Sequence, residues 1–390
     1  MAKHPMKYPV GISTLSTIIN DGYSYVDKTQ FAWRMISNGR YYFLSRPRRF
    51  GKSMMVSTFN EIFKGNRPLF KNLYMGQLDS TQYDWQEYPI IRIDFSIAKG
   101  ITLEDYMNLS LVEISKNYGI TLGAEAYALN FRILIEALYR KYQKPVVILI
   151  DEYDKPILDV IDDLPLAIER REILKGFYTV IKSQDEYIRF VFLTGVTKFA
   201  KTGVFSGLNH LTDITMNPHY AAICGMTQEE LAQNYLEGIH ALAESEGLTV
   251  ADCLDKIKFW YNGYRFSESP LSVYNPFSTL LLLNELSFKN YWFESGTPTF
   301  LIKLIQSQNF NILEAEHAEA LASRFSTFEI DSLDPLAVLF QAGYLTIQDY
   351  DKDWDFYRLG YPNYEVEHSF KNILLNAYAF EHSADISVKL

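Results

Sequence analysis

Residues 41–53 read YYFLSRPRRFGKS. The apolar run Tyr41-Tyr42-Phe43-Leu44 follows the turn pair Asn38-Gly39 and has the composition of a buried strand. A polar loop comes next. Gly51-Lys52-Ser53 then opens a segment in which Met55, Phe59 and Phe63 recur at helical spacing. Strand, loop, Gly-Lys-Ser and helix, in that order, make a phosphate-binding loop. The loop amides and the helix N-terminus face an anion, Lys52 neutralises it, and the Ser53 hydroxyl is suited to Mg²⁺. The candidate nucleotide contacts are therefore Arg46, Pro47, Arg48, Arg49, Phe50, Gly51, Lys52, Ser53 and Met54. One position departs from the consensus. Six residues before the lysine, where glycine is usual, stands Arg46, followed by Pro47.

A loop of this kind needs an acid at the end of a second buried strand. VVILIDEYD supplies it: Asp151 follows five aliphatic residues, at the strand end where ligands collect in open α/β sheets. Asp151 is the expected Mg²⁺ ligand, and Glu152 beside it the expected activator of an attacking water. The strand ending FLTGVTK places Thr194 beside them, either as a sensor of phosphate or as a hydroxyl that caps its own strand. Lys198 can reach the same mouth, though an exposed lysine is the commoner case, and Asp94, ending PIIRID, reads better as a structural cap than as a metal ligand. Arg46, Arg48 and Arg49 put three guanidinium groups in the loop that must touch phosphate. About a hundred residues separate Lys52 from Asp151 and include the strand at 90–95. That leaves room for an inserted strand, the arrangement of the ATPase branch. The Asn-Lys-x-Asp string of guanine readers does not occur, so ATP is the expected nucleotide.

Strands near 41, 90, 146 and 188, and a weaker one at 210–216, alternate with helices and predict a parallel α/β sheet of the P-loop type. The expected organisation is a P-loop ATPase core at 1–220, a helical lid at 221–290, a winged-helix-like region at 291–365 and a C-terminal helix or tail at 366–390. Thr227 and Glu230 form a capping box at the head of the lid, Gly247 fits a helix C-cap, and Asn262-Gly263 reads as a hairpin turn. Residues 334–357 read as a helix and then two strands, the winged-helix order.

Bulk properties bound the function classes. The 390 residues are 48% hydrophobic and 22% charged, with a net charge of −10. This composition indicates globular domains without the basic footprint of a nucleic-acid binder. Cys224 and Cys253 lack paired-ligand spacing, and the seven histidines show no metal-site pattern. No signal peptide or membrane-length apolar run is evident, so a cytoplasmic setting with no membrane partner is expected.

These motifs together resemble the bacterial AAA-ATPase-like proteins, related to the archaeal-type and STAND ATPases. The resemblance rests on YPVGISTLSTIINDGYSYVDKT, FLSRPRRFGKS, VVILIDEYDKPI, FVFLTGVTKFAKTGVFSGLN, CGMTQEEL, WYNGYRF, YNPFS, YWFESGTPTFL and LFQAGYLTI, in order along the chain. The arginine-proline form of the loop is familiar in that family. The resemblance implies Mg²⁺-dependent ATP hydrolysis by an AAA-like conformational switch, with Lys52 and Ser53 at the phosphates and Mg²⁺, Asp151 on Mg²⁺ and Glu152 on the water. An ATP-binding regulatory module with little turnover, recognising DNA or a protein through the C-terminal region or controlling a nuclease domain, is the alternative. A homo-oligomer is open. Many relatives continue into a PD-(D/E)XK nuclease-like domain. The 20 residues after Phe370 are too few for one, so nuclease chemistry is not expected of these residues.

Overall fold

A computed structural model of the chain describes residues 6–97, 100–199, 204, 210–292, 301–302, 304–305, 310, 315–327, 330 and 332–387. Five parallel strands form the central sheet: β1 (Tyr41–Ser45), β2 (Ile90–Asp94), β3 (Val146–Asp151), β4 (Ile188–Gly195) and β5 (Thr212–Asp213). Their spatial order is β2-β3-β4-β1-β5. The strand that lies between the loop strand and the acid strand is therefore β4, not the 90–95 strand, which takes the sheet edge. Sequence order alone does not reveal this, because the chain runs out to the edge before it returns to the centre.

Both faces of the sheet are covered, which is why its strands read as unbroken apolar runs. Alternation along each strand sorts residues between two cores. Tyr42, Leu44, Val147, Leu149, Phe190 and Phe192 pack with Phe59 and Phe63 of the helix Lys52–Phe63. Phe43, Ile91, Ile93, Ile148, Ile150, Val191 and Leu193 pack on the opposite side with Phe131 and Phe177. Those two come from the helices Tyr127–Tyr142 and Leu164–Ser183, and their rings stack 4.4 Å apart.

After β5 the chain becomes helical. The helices Gln228–Asn234, Leu236–Glu246, Val250–Tyr261 and Pro276–Glu285 share a third core built on Leu231, Ile239, Leu242, Cys253, Ile257 and Leu282. The capping box at Thr227 and Glu230 is formed, and Gly247 ends its helix in the left-handed conformation. Asn262-Gly263 is not a hairpin turn. Asn262 caps the helix ending at Tyr261, and Gly263 turns the chain at φ 109° against the Pro362 carbonyl. The strand-like bridge forms later, between Tyr264 and Val273. Helix capping wins because the residues before Asn262 have a buried helical face.

The C-terminal part holds the helix Pro335–Ala342, then the antiparallel pair β7 (Thr346–Asp351) and β8 (Phe356–Gly360). A short strand, β6 (Glu319–Leu321), pairs with the far side of β8. A last helix spans Tyr364–Ser387. Residues 298–307, whose sequence also reads as helical, lie largely outside the described residues. No helix among the described residues is long and apolar enough to cross a membrane.

Candidate nucleotide site

The loop between β1 and its helix is held in shape from below. Its first residue, Arg46, is only 1% exposed. Its guanidinium donates to the carbonyls of Ser45 (2.9 Å) and Thr215 (2.6 Å), and lies 4.2 Å from the Phe266 ring centroid. Burial pulls its pKa down to about 10, which leaves it charged at neutral pH. The Arg46 side chain thus lies behind the loop rather than in its mouth. Pro47 is buried against Gly343, where a Cβ would sit 2.8 Å from the proline ring. Phe50 is buried edge-on to Tyr264 (4.7 Å) and Phe266 (5.4 Å). Three loop side chains where smaller residues would serve a free turn are therefore anchors into the second half of the chain.

What faces outward is backbone and cation. Arg49 and Gly51 have positive φ, 70° and 99°, which curves the loop into a cradle of the kind that amides line around anions. The glycine is required at Gly51 for conformation, since a Cβ there would meet no atom within 4 Å. Lys52 arches back over the loop, and its ammonium donates to the carbonyls of Arg46 (2.9 Å) and Pro47 (3.1 Å). Arg48 is exposed. The Arg49 guanidinium sits 3.9 Å over Phe277, in the first turn of the helix Pro276–Glu285. Asn275 caps that turn, accepting from the amides of Phe277 and Ser278.

The acid strand arrives alongside. Asp151 is 1% exposed, and its carboxylate accepts from the Glu152 amide. Burial raises its pKa to about 6, against the pull of Ser53, which lies close enough to lower it, and with Glu152 adding to the rise. Such a carboxylate gains from a cation, and with Ser53 beside it the pair fits a Mg²⁺ ion. Glu152 is half-buried in the left-handed region at φ 53°, a conformation that costs a residue with a side chain about 1 kcal/mol or more. Thr194, at the end of β4, is fully buried, and its hydroxyl has no hydrogen-bond partner among the described residues. It lies one strand from both β1 and β3. Met54 and Glu152 line the same cavity as the loop, a space of about 340 Å³.

Lys198 and Asp94 make other contacts, and Asp94 is the structural cap that its sequence favours. Lys198 pairs with Asp213 at 2.6 Å, and Asp94 accepts from the amide of Ser96, a local cap. Other residues enter that the motif pattern does not single out. The far wall of the cavity comes from Pro9, Val10, Gly11 and Ile12 at the start of the chain, with Cys224 and Met226. Lys28 lines the cavity and is ion-paired with Glu230 at 2.7 Å, which ties the N-terminal segment to the helical cluster. Burial lowers the Lys28 pKa against the pull of that partner. Asp154 is buried entirely and reaches the exit of β4. Only the Asp at a fixed step beyond Glu152 offered any sequence signal for it.

A family profile described as Predicted AAA-ATPase, AAA-ATPase-like, matches residues 9–205. The chain belongs to the AAA-ATPase-like family. The matched span runs from the cavity wall at Pro9 through the phosphate loop, the acid strand and β4. A relative from Azotobacter chroococcum mcd 1, described as "Uncharacterized protein in vnfD 5'region", is 39% identical over 379 residues. The alignment covers 95% of this chain and 70% of that relative, so the likeness to it extends through the helical cluster and the C-terminal part.

Proposed function

We propose that the chain binds ATP with Mg²⁺ in the cavity above the phosphate loop and hydrolyses it to ADP and phosphate. The observation that carries this is that Lys52, Ser53 and Glu152 line one cavity, with Asp151 and Thr194 at the ends of the adjoining strands β3 and β4. Lys52 and the loop amides bind the phosphates. Ser53 and Asp151 would hold the ion, whose charge offsets that of the phosphates. Glu152 accepts the proton of the attacking water, and the unpartnered Thr194 hydroxyl donates to the γ-phosphate or orients that water. The apolar wall formed by Val10, Ile12 and Met226 suits the base.

The helical cluster is read as a lid, since Phe277 in the first turn of its helix Pro276–Glu285 and its partner Lys28 both line the cavity. Helix, β7 and β8, with β6 added, follow winged-helix order. The helix Pro335–Ala342 is buried at every position from Pro335 to Gln341, however, so it offers no face to a DNA groove. A switch that moves this unit through its contacts with Pro47 and Lys198 is the reading favoured over DNA recognition.

The test is phosphate release and calorimetric ATP titration on the full chain. Lys52→Ala is expected to abolish both, and Glu152→Gln to retain binding while turnover drops about 100-fold or more. A wild-type chain that shows no ATP binding removes the proposal. Tight binding with negligible release supports the regulatory module instead.

A further inference from the structure

Asp154 stands immediately before the short helix Lys155–Leu158, where an aspartate ordinarily caps its own helix. It does not do so here. Its Oδ2 crosses to the exit of β4 and accepts three hydrogen bonds, from the amides of Val196 (3.0 Å) and Thr197 (2.6 Å) and from the Thr197 hydroxyl (2.6 Å). The carboxylate is fully buried, and Oδ1 has no partner among the described residues. Burying a charge in this way is costly unless it is well bonded, and three donors converging on one oxygen are the compensation.

The neighbouring residue works in the same direction. The Tyr153 amide donates to the Thr194 carbonyl (3.0 Å), and the Tyr153 hydroxyl to the Thr197 carbonyl (3.0 Å). Gly195 leaves room for this crossing, since a Cβ there would collide with both Asp154 and Tyr153. The segment Asp151-Glu152-Tyr153-Asp154 is thereby stitched to Thr194-Gly195-Val196-Thr197 by five hydrogen bonds, two through Tyr153 and three through Asp154. Two of the chemical groups, Glu152 and Thr194, sit at the open end of this seam. The next residue, Lys198, donates its amide to Gln341 of the buried helix Pro335–Ala342 (2.8 Å), so the seam also ends on the unit proposed to move.

We propose that Asp154 is a positioning residue of the hydrolytic site, fixing the exit of β4, and with it Thr194, in register with Asp151 and Glu152. It touches neither nucleotide nor water. It sets the spacing between the general base and the hydroxyl that meets the γ-phosphate. This rests on the ATPase reading above and adds a residue that governs turnover without governing affinity.

The test uses the full chain with ATP and Mg²⁺. Thr197→Val removes one hydroxyl and keeps the shape, so it reports even where Asp154→Asn folds poorly. Each variant is expected to lower kcat about ten- to a hundredfold, the effect of a small misplacement, with ATP affinity by calorimetry within about twofold of wild type. The double variant should fall no further than Asp154→Asn alone, because both act through one contact. A wild-type chain that turns over ATP while both variants keep its kcat overturns the inference and leaves the ATPase reading standing. Affinity lost in step with kcat also overturns it, since that marks a support of the fold alone. A wild-type chain that releases no phosphate removes both readings.

Discussion

Replacing Arg46 by Met separates two accounts of the unusual loop. Met fills most of the arginine volume and removes only the charge and its bonds. The guanidinium makes two short bonds to carbonyls, at 2.9 and 2.6 Å. Bonds to a charged donor net about 1.5–3 kcal/mol each, so together about 3–6 kcal/mol. The desolvated contact with Phe266 at 4.2 Å contributes about 2 kcal/mol more. Against this stands the cost of burying the charge. Its pKa falls from 12.5 to about 10, and at about 1.4 kcal/mol per pH unit that cost is about 3 kcal/mol. Arg46→Met should therefore destabilise the chain by about 2–5 kcal/mol, measured by denaturant titration followed through tryptophan fluorescence. ATP affinity should change by less than about tenfold, or 1.4 kcal/mol, because the guanidinium lies behind the loop. The opposite pattern, unchanged stability with ATP binding lost, would refute the reasoning and put the Arg46 side chain on phosphate.

Two further expectations concern the contacts around the site. Gly343 has φ 90° and faces Pro47, so Gly343→Ala should cost about 1–3 kcal/mol through backbone strain and displace the loop. Weaker ATP binding alongside the lower stability would show that displacement, and wild-type behaviour in both would refute it. Glu365 is buried where the last helix meets the helical cluster, bonded by Ser278 and the Trp292 amide. Burial raises its pKa from 4.5 to about 7. The folded state then holds a proton that the unfolded state has released. Its contribution to stability is full below pH 4.5 and is lost as pH rises through about 7. The stability of wild type relative to Glu365→Gln should fall by about 3 kcal/mol across that window. A pH-independent difference would refute the assignment.

The sequence by itself determined the strands, the phosphate loop and the acid pair. Five consecutive aliphatics before Asp151, and a Gly-Lys-Ser between a strand and an amphipathic helix, are local patterns, and each rests on short-range physics that survives in one dimension. The capping box at Thr227 was legible for the same reason. What the sequence left open were relations between segments far apart in the chain. It offered three arginines in one loop, and only the fold separates them: Arg46 faces carbonyls of Thr215, Arg49 covers Phe277, and Arg48 is exposed. It offered a strand at 90–95 as the inserted one, yet strand order is fixed by which helices cover which face, and β4 took that place. Asp154 stands before a short helix without capping it, because the approach of β4 turns its carboxylate toward Val196 and Thr197. Arg46 and Pro47 stand where a free glycine turn is usual because tertiary packing supplies Phe266, Thr215 and Gly343 to hold them.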